Sequence, residues 1–92
     1  MNYIDEIMKY KKALPKDTQH QCQVTIVKMI NEGFTPEWVY TALNSRPKNN
    51  WIKWGFGLFF TERFRDEIDT ELVAKDCDLY DLWNAKPGVN NE

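Results

Sequence analysis

The sequence predicts an all-α fold: a small bundle of three to four helices, with an aromatic-rich irregular segment and an acidic C-terminal tail. Three observations predict it. Apolar residues recur at helical spacing through most of the chain up to residue 75. Proline and glycine fall where helices would start or stop. Four Trp, four Tyr and five Phe in 92 residues supply enough area for one core without metal or disulfide staples, but not for two. Residues 1–86 are therefore expected to form a single helical domain, with 87–92 a frayed C-terminal tail.

Residues 2–14 read as a first helix. Tyr3, Ile4, Ile7, Met8 and Leu14 fall near helical spacing, acids come early and lysines late, and Pro15 disfavours helical geometry at Leu14. A second helix is expected from about Asp17 to Glu32, with Cys22, Ile26, Met29, Ile30 and Val27 as its apolar stripe. The β-branched run Val24–Val27 argues for a strand, but the segment is long and ends in a helix stop. Gly33 sits where a left-handed residue belongs, and Phe34 follows as the apolar contact of a Schellman-type cap.

The third helix has the clearest start. Thr35 is a good N-cap, Pro36 suits the first helical position and Glu37 lies in the first turn. Trp38, Val39, Ala42 and Leu43 form its buried face. Ser45–Asn50 reads as a polar loop. Trp51–Phe60 (W-I-K-W-G-F-G-L-F-F) has no clean period, and reads as a short helical turn followed by an extended G-F-G connection. From near Leu58 to Lys75, Phe60, Phe64, Ile68 and Leu72 recur every four residues and predict a long helix. Beyond it, Leu79, Tyr80, Leu82 and Trp83 suit a short docking turn.

The net charge of −2 singles out no partner, but its distribution is uneven. Residues 1–43 balance, residues 44–65 carry five cations against Glu62, and residues 66–92 carry eight acids against Lys75 and Lys86. Cys22 and Cys77 stand apart in no ligand pattern, as free thiols in a reducing compartment would. With no signal-peptide core and no spanning apolar run, the chain is expected to be cytoplasmic and to avoid membranes.

Catalysis finds little support. His20 is the only histidine and lies in a polar stretch, and no serine sits in a nucleophile elbow. The G-x-G at 55–57 lacks the third glycine of a dinucleotide fingerprint. Asp76, Asp78 and Asp81 share a short segment without the glycine turn or terminal glutamate of a calcium loop. No enzymatic role, cofactor or metal is expected.

Nine of the thirteen aromatics lie between Phe34 and Phe64, interleaved with Arg46, Lys48, Lys53, Arg63 and Arg65. Aromatic faces stack on unpaired bases and cations neutralise phosphates, so Arg46, Lys48, Trp51, Lys53 and Trp54 form a candidate nucleic-acid surface. The same residues also suit a core whose arginine stems pack while their heads stay wet. Trp51 and Trp54, beside the polar loop, are expected to be partly exposed. Helices two and three could form a helix–turn–helix, but the acidic first turn of helix three would oppose phosphates, so a helical hairpin fits better. The segment D-L-Y-D-L-W (Asp78–Trp83) joins aliphatic and aromatic anchors to acids that steer toward a basic partner. Its core-covering alternative packs Leu79, Tyr80 and Trp83 on the bundle.

Three resemblances follow. D-L-Y-D-L-W is similar to the D-L-F-type peptides that dock on bacterial sliding clamps, although the leading glutamine of that motif is absent. Met29–Leu43 (M-I-N-E-G-F-T-P-E-W-V-Y-T-A-L) resembles the first loop of ubiquitin-associated-type three-helix domains. The aromatic segment after it departs from that family, and ubiquitin binding is not carried over. In length, Lys and Asn usage and its W-G-F-G-L-F-F-x-x-x-F block, the whole chain resembles small helical proteins of bacteriophages and prophages. That resemblance implies an accessory protein modulating or inhibiting a host factor, such as a CRISPR effector or other defence nuclease, or replication machinery. The leading expectation is thus a non-enzymatic protein-binding module using Asp76, Asp78, Tyr80, Asp81, Trp83, Arg63 and Arg65. A nucleic-acid-binding accessory protein is the alternative, and the aromatic patch equally suits a homodimer interface.

Overall fold

The computed structural model describes residues 1–76, and within them the chain forms five α-helices and a 3-10 turn. The helices are α1 (Tyr3–Lys12), α2 (Lys16–Asn31), α3 (Pro36–Asn44), α4 (Lys48–Trp54) and α5 (Glu62–Asp76), with the 3-10 turn at Gly57–Phe60 between α4 and α5. The all-α expectation holds, with five helices where three to four were expected. The short docking turn at residues 79–83, Cys77, the boundary at residue 86 and the frayed tail lie outside the described residues.

Local chemistry sets most of the boundaries. At α1, Asn2 accepts a hydrogen bond from the Asp5 backbone N–H at 3.2 Å. Its far end is tied down from the next helix, because the Gln19 amide donates to the Lys12 and Leu14 carbonyls at 3.3 and 2.6 Å. The α2–α3 junction is a full Schellman cap. Gly33 takes φ +100°, its N–H reaches the Ile30 carbonyl at 3.0 Å, and Phe34 N–H reaches Met29 at 3.1 Å. Thr35 then caps α3 by accepting from Trp38 N–H at 3.2 Å, with Pro36 in first position.

The extra helix is α4. Residues 48–50 belong to it rather than to the expected loop, because burying Trp51 requires an ordered turn on both sides. The Trp51 indole N–H donates to the Leu43 carbonyl at the end of α3, at 2.9 Å. The G-F-G stretch is also tighter than the expected extended link. Gly55 alone makes the turn, at φ +79°, and its N–H closes on Trp51 at 2.9 Å. Phe56 is buried, and the chain is already helical again from Gly57. The α5 helix starts at Glu62, later than expected, since Thr61 is extended and accepts from Phe64 N–H at 3.4 Å.

The core lies where α1, α2, α3 and α5 converge, with α3 touching the other three. Ile7, Cys22, Met29, Val39, Leu43, Phe59, Phe64 and Ile68 are almost wholly buried in it. On α2 the buried stripe is Thr18, Cys22, Thr25 and Met29. Val27 and Ile30, expected inside, are exposed with Val24 on the outer face. The threonine at 25 manages burial by donating its hydroxyl to the Gln21 carbonyl at 2.8 Å. On α5, Phe64 and Ile68 are buried and Leu72 packs at the margin, as the four-residue period implied, while Phe60 packs there from the 3-10 turn.

Candidate docking groove

The aromatic-rich segment sorts into an inner set and one outer residue. Trp51 is 1% exposed. It stacks on Phe56 (centroids 5.3 Å, 12° between planes) and meets Phe59 and Phe64 edge-on at 4.9 and 6.2 Å. Trp38 continues the cluster against Phe59 and Phe64, and its indole N–H donates to Asp69 at 2.8 Å. The expectation that Trp51 is partly exposed is therefore corrected, and its buried ring offers no face to a base. Trp54, three residues on, is 77% exposed. Beside it on the same stretch, Ile52 and Leu58 are 46% and 40% exposed.

Trp54 borders a groove formed by α4, the 3-10 turn and the start of α5. Its first compartment, about 470 Å³, is lined by Asn50, Trp51, Trp54, Gly55 and Leu58 together with Arg46 and Thr61. A second compartment of about 460 Å³ shares Arg46, Leu58 and Thr61 with it and continues along Arg63, Phe64 and Glu67. Each has the size of an ordinary ligand site, and the shared residues make them one trough.

The cations near this trough are held differently. Arg46 forms a two-pronged pair with Glu67, at 2.8 and 3.2 Å, and its guanidinium lies 5.2 Å from the Phe64 ring centroid. Hydrogen bonding in this pair raises the Arg46 pKa and lowers that of Glu67. Arg65 is directed elsewhere. It donates to Glu32 at 2.8 Å and to the Phe59 carbonyl at 3.2 Å, and covers Phe34. It thereby ties α5 to the end of α2. Lys48 lies over the Tyr10 ring at 5.2 Å, and Lys53 lies 5.6 Å from the Trp54 ring. Arg63 is exposed and makes no hydrogen bond or ion pair with the described residues.

The expected site residues thus separate. Arg63, Trp54 and Arg46 gather on one trough with Lys53 beside Trp54 at its edge, whereas Arg65, Lys48 and Trp51 serve packing. Asp78, Tyr80, Asp81 and Trp83 lie outside the described residues, as does the side chain of Asp76. Leu58, Thr61 and Asn50 were not singled out from sequence. Leu58 was assigned to the long helix, and only the 3-10 turn turns it outward.

His20 is exposed. Among the described residues no three His, Cys, Asp or Glu side chains gather closely enough to hold a metal ion. No helix among them is long and apolar enough to cross a membrane. No protein-family model, curated protein or solved structure matches the chain.

Proposed function

We propose that this chain is a non-catalytic protein-binding module that receives a partner segment in the groove between α4, the 3-10 turn and α5. The observation that carries this reading is Trp54, a tryptophan 77% exposed at the edge of an apolar trough. Exposed tryptophans beside concave apolar surface are the anchors on which binding energy concentrates. Groove-lining Leu58 extends the apolar area, and the arginines provide the polar rim typical of an interface. The acidic–aromatic stretch Asp76–Trp83 belongs to the proposal as a second contact element. So does a cytoplasmic, phage-encoded accessory role against a host defence nuclease or replication factor, which the sequence resemblance alone supports.

A random peptide library panned against the full chain and against Trp54→Ser tests the reading. Enrichment of peptides by the wild type that the variant fails to retain is the expected result. Enrichment identical for both proteins would overturn it.

Nucleic-acid binding keeps one observation in its favour, the Lys53 ammonium beside the exposed Trp54 ring with Arg63 nearby. Labelled single-stranded oligonucleotides titrated at low and high salt distinguish it. Salt-sensitive binding lost in Trp54→Ser would favour that reading over the first.

A further inference from the structure

We infer that the segment this groove receives is an acidic peptide carrying a bulky apolar anchor, an inference that rests on the protein-docking reading above. The groove's charges point to it. Arg46 and Arg63 line the trough, and Lys53 stands beside Trp54 at its edge. Against two lining cations the trough holds one acid, Glu67, and Arg46 already occupies both of its carboxylate oxygens. An incoming carboxylate therefore meets Arg63 in the lining, with Lys53 beside Trp54 at the edge, and neither cation has an ion-pair partner among the described residues. Thr61 and Arg63 also place the start of α5, the positive end of a helix dipole, on the same trough. Glu62 and Asp66 lie on α5 but do not line it.

The anchor follows from the walls. Trp54 and Leu58 face an interior floored by Trp51 and continued by Phe64, so the surface to be covered is apolar. A phosphate chain fits this site less well than a peptide. Among the described residues it would find two unpaired cations rather than a row, and a single exposed tryptophan provides no succession of stacking platforms. Arg63 can hold a carboxylate with two parallel hydrogen bonds, and Lys53 adds a point charge. An acidic segment is thus drawn in by charge and retained by its anchor.

The test uses the full chain and three short fluorescein-labelled peptides that share Leu and Trp anchors, with Asp, Ser or Lys between them, read by anisotropy. The Asp peptide is expected to bind tightest, with the Lys peptide weaker by about tenfold or more. Trp54→Ala should weaken the Asp peptide by about tenfold. The double variant Lys53→Glu, Arg63→Glu should reverse the preference, so that the Lys peptide binds better than the Asp peptide. Both positions are exposed, and a gain of binding cannot come from unfolding. Equal affinities for the three peptides, or an unreversed preference, would overturn the acidic assignment and leave the docking reading standing. Asp-peptide binding unaffected by Trp54→Ala would overturn the groove itself. Tighter binding of a single-stranded oligonucleotide, lost in the same variants, would overturn both.

Two other occupants have their own signatures. Residues 78–83 of this chain have the same acidic and aromatic chemistry. A gain in Asp-peptide affinity on Leu79→Ser with Trp83→Ser would give the groove to that segment and overturn an external partner. A dimer seen by sedimentation, and abolished by Trp54→Ala, would give it to a second copy with the same consequence.

Discussion

Trp51 and Trp54 sit one turn apart on the same short helix and do opposite things. Trp51 fills the space between α4 and the aromatic cluster and gives its only donor to Leu43. Trp51→Phe would leave that carbonyl short of its partner and open a small void, for an expected loss of about 1–3 kcal/mol. Trp54→Ser removes an exposed ring and is expected to change stability by about 0.5 kcal/mol or less. Urea unfolding of the two variants checks the contrast, and comparable losses would refute the inside–outside assignment. This distinction was not legible in W-I-K-W. Both tryptophans lie in one short apolar–basic stretch, and which one turns inward depends on where α3 ends and where Gly55 reverses the chain. The charge roles were no easier to read, since Arg63 and Arg65 look equivalent until Glu32 and Glu67 are placed in space. Arg63 was nonetheless among the residues expected to meet a partner, and it lines the trough, while the exposure of Trp54 was expected as well.

The elements whose ends carry their own chemistry were read correctly. Gly33, Thr35 and Pro36 encode the α2–α3 junction locally, and it forms as expected, with φ +100° at Gly33 and a Thr35 cap. Nothing lies near the position of an added Cβ at Gly33, so Gly33→Ala would cost only backbone strain, about 1–2 kcal/mol. Thr35→Ala should cost about 1 kcal/mol through the lost cap. Denaturation midpoints should fall in both variants, and an unchanged midpoint in either would contradict the capping assignment. Elements that depend on tertiary contact were misread. The α4 helix has seven residues and no side-chain cap, too short to persist on its own, so burial of Trp51 must hold it. The outer face of α2 was misread for a related reason. The stripe Thr18–Cys22–Thr25–Met29 includes two threonines, and assigning the inside to the most apolar residues rotates the helix toward Val27 and Ile30. The Thr61 cap of α5 uses the same chemistry as Thr35, but without a following proline it gave no comparable signal.

At the scale of the whole molecule, the core contains two acidic protons that folding protects. Burial pushes the Cys22 thiol up to about 11 and the Tyr10 phenol up to about 12, from ordinary values near 9 and 10. Trp51 tempers the Tyr10 rise, but its indole N–H is committed to Leu43, and Tyr10 Oη has no hydrogen-bond partner among the described residues. Between the ordinary and raised values the native state keeps these protons while the unfolded chain has lost them. Stability must therefore fall as pH rises, starting near 9 for Cys22 and near 10 for Tyr10. The melting temperature should decline across this window, with a shallower slope in Tyr10→Phe, and identical slopes would contradict a buried phenol. Tyr10→Phe also removes an unsatisfied hydroxyl, so its stability near neutrality should equal or slightly exceed that of the wild type. Among the described residues one tryptophan, Trp54, is largely exposed, and it borders the trough that Arg46 and Arg63 line. The most direct test follows the tryptophan indole N–H signals of the full chain by NMR while the acidic peptide is added. The Trp54 signal is expected to move progressively while those of Trp38 and Trp51 stay in place. Shifts spread evenly over Trp38 and Trp51, or binding that leaves Trp54 unmoved, would contradict it.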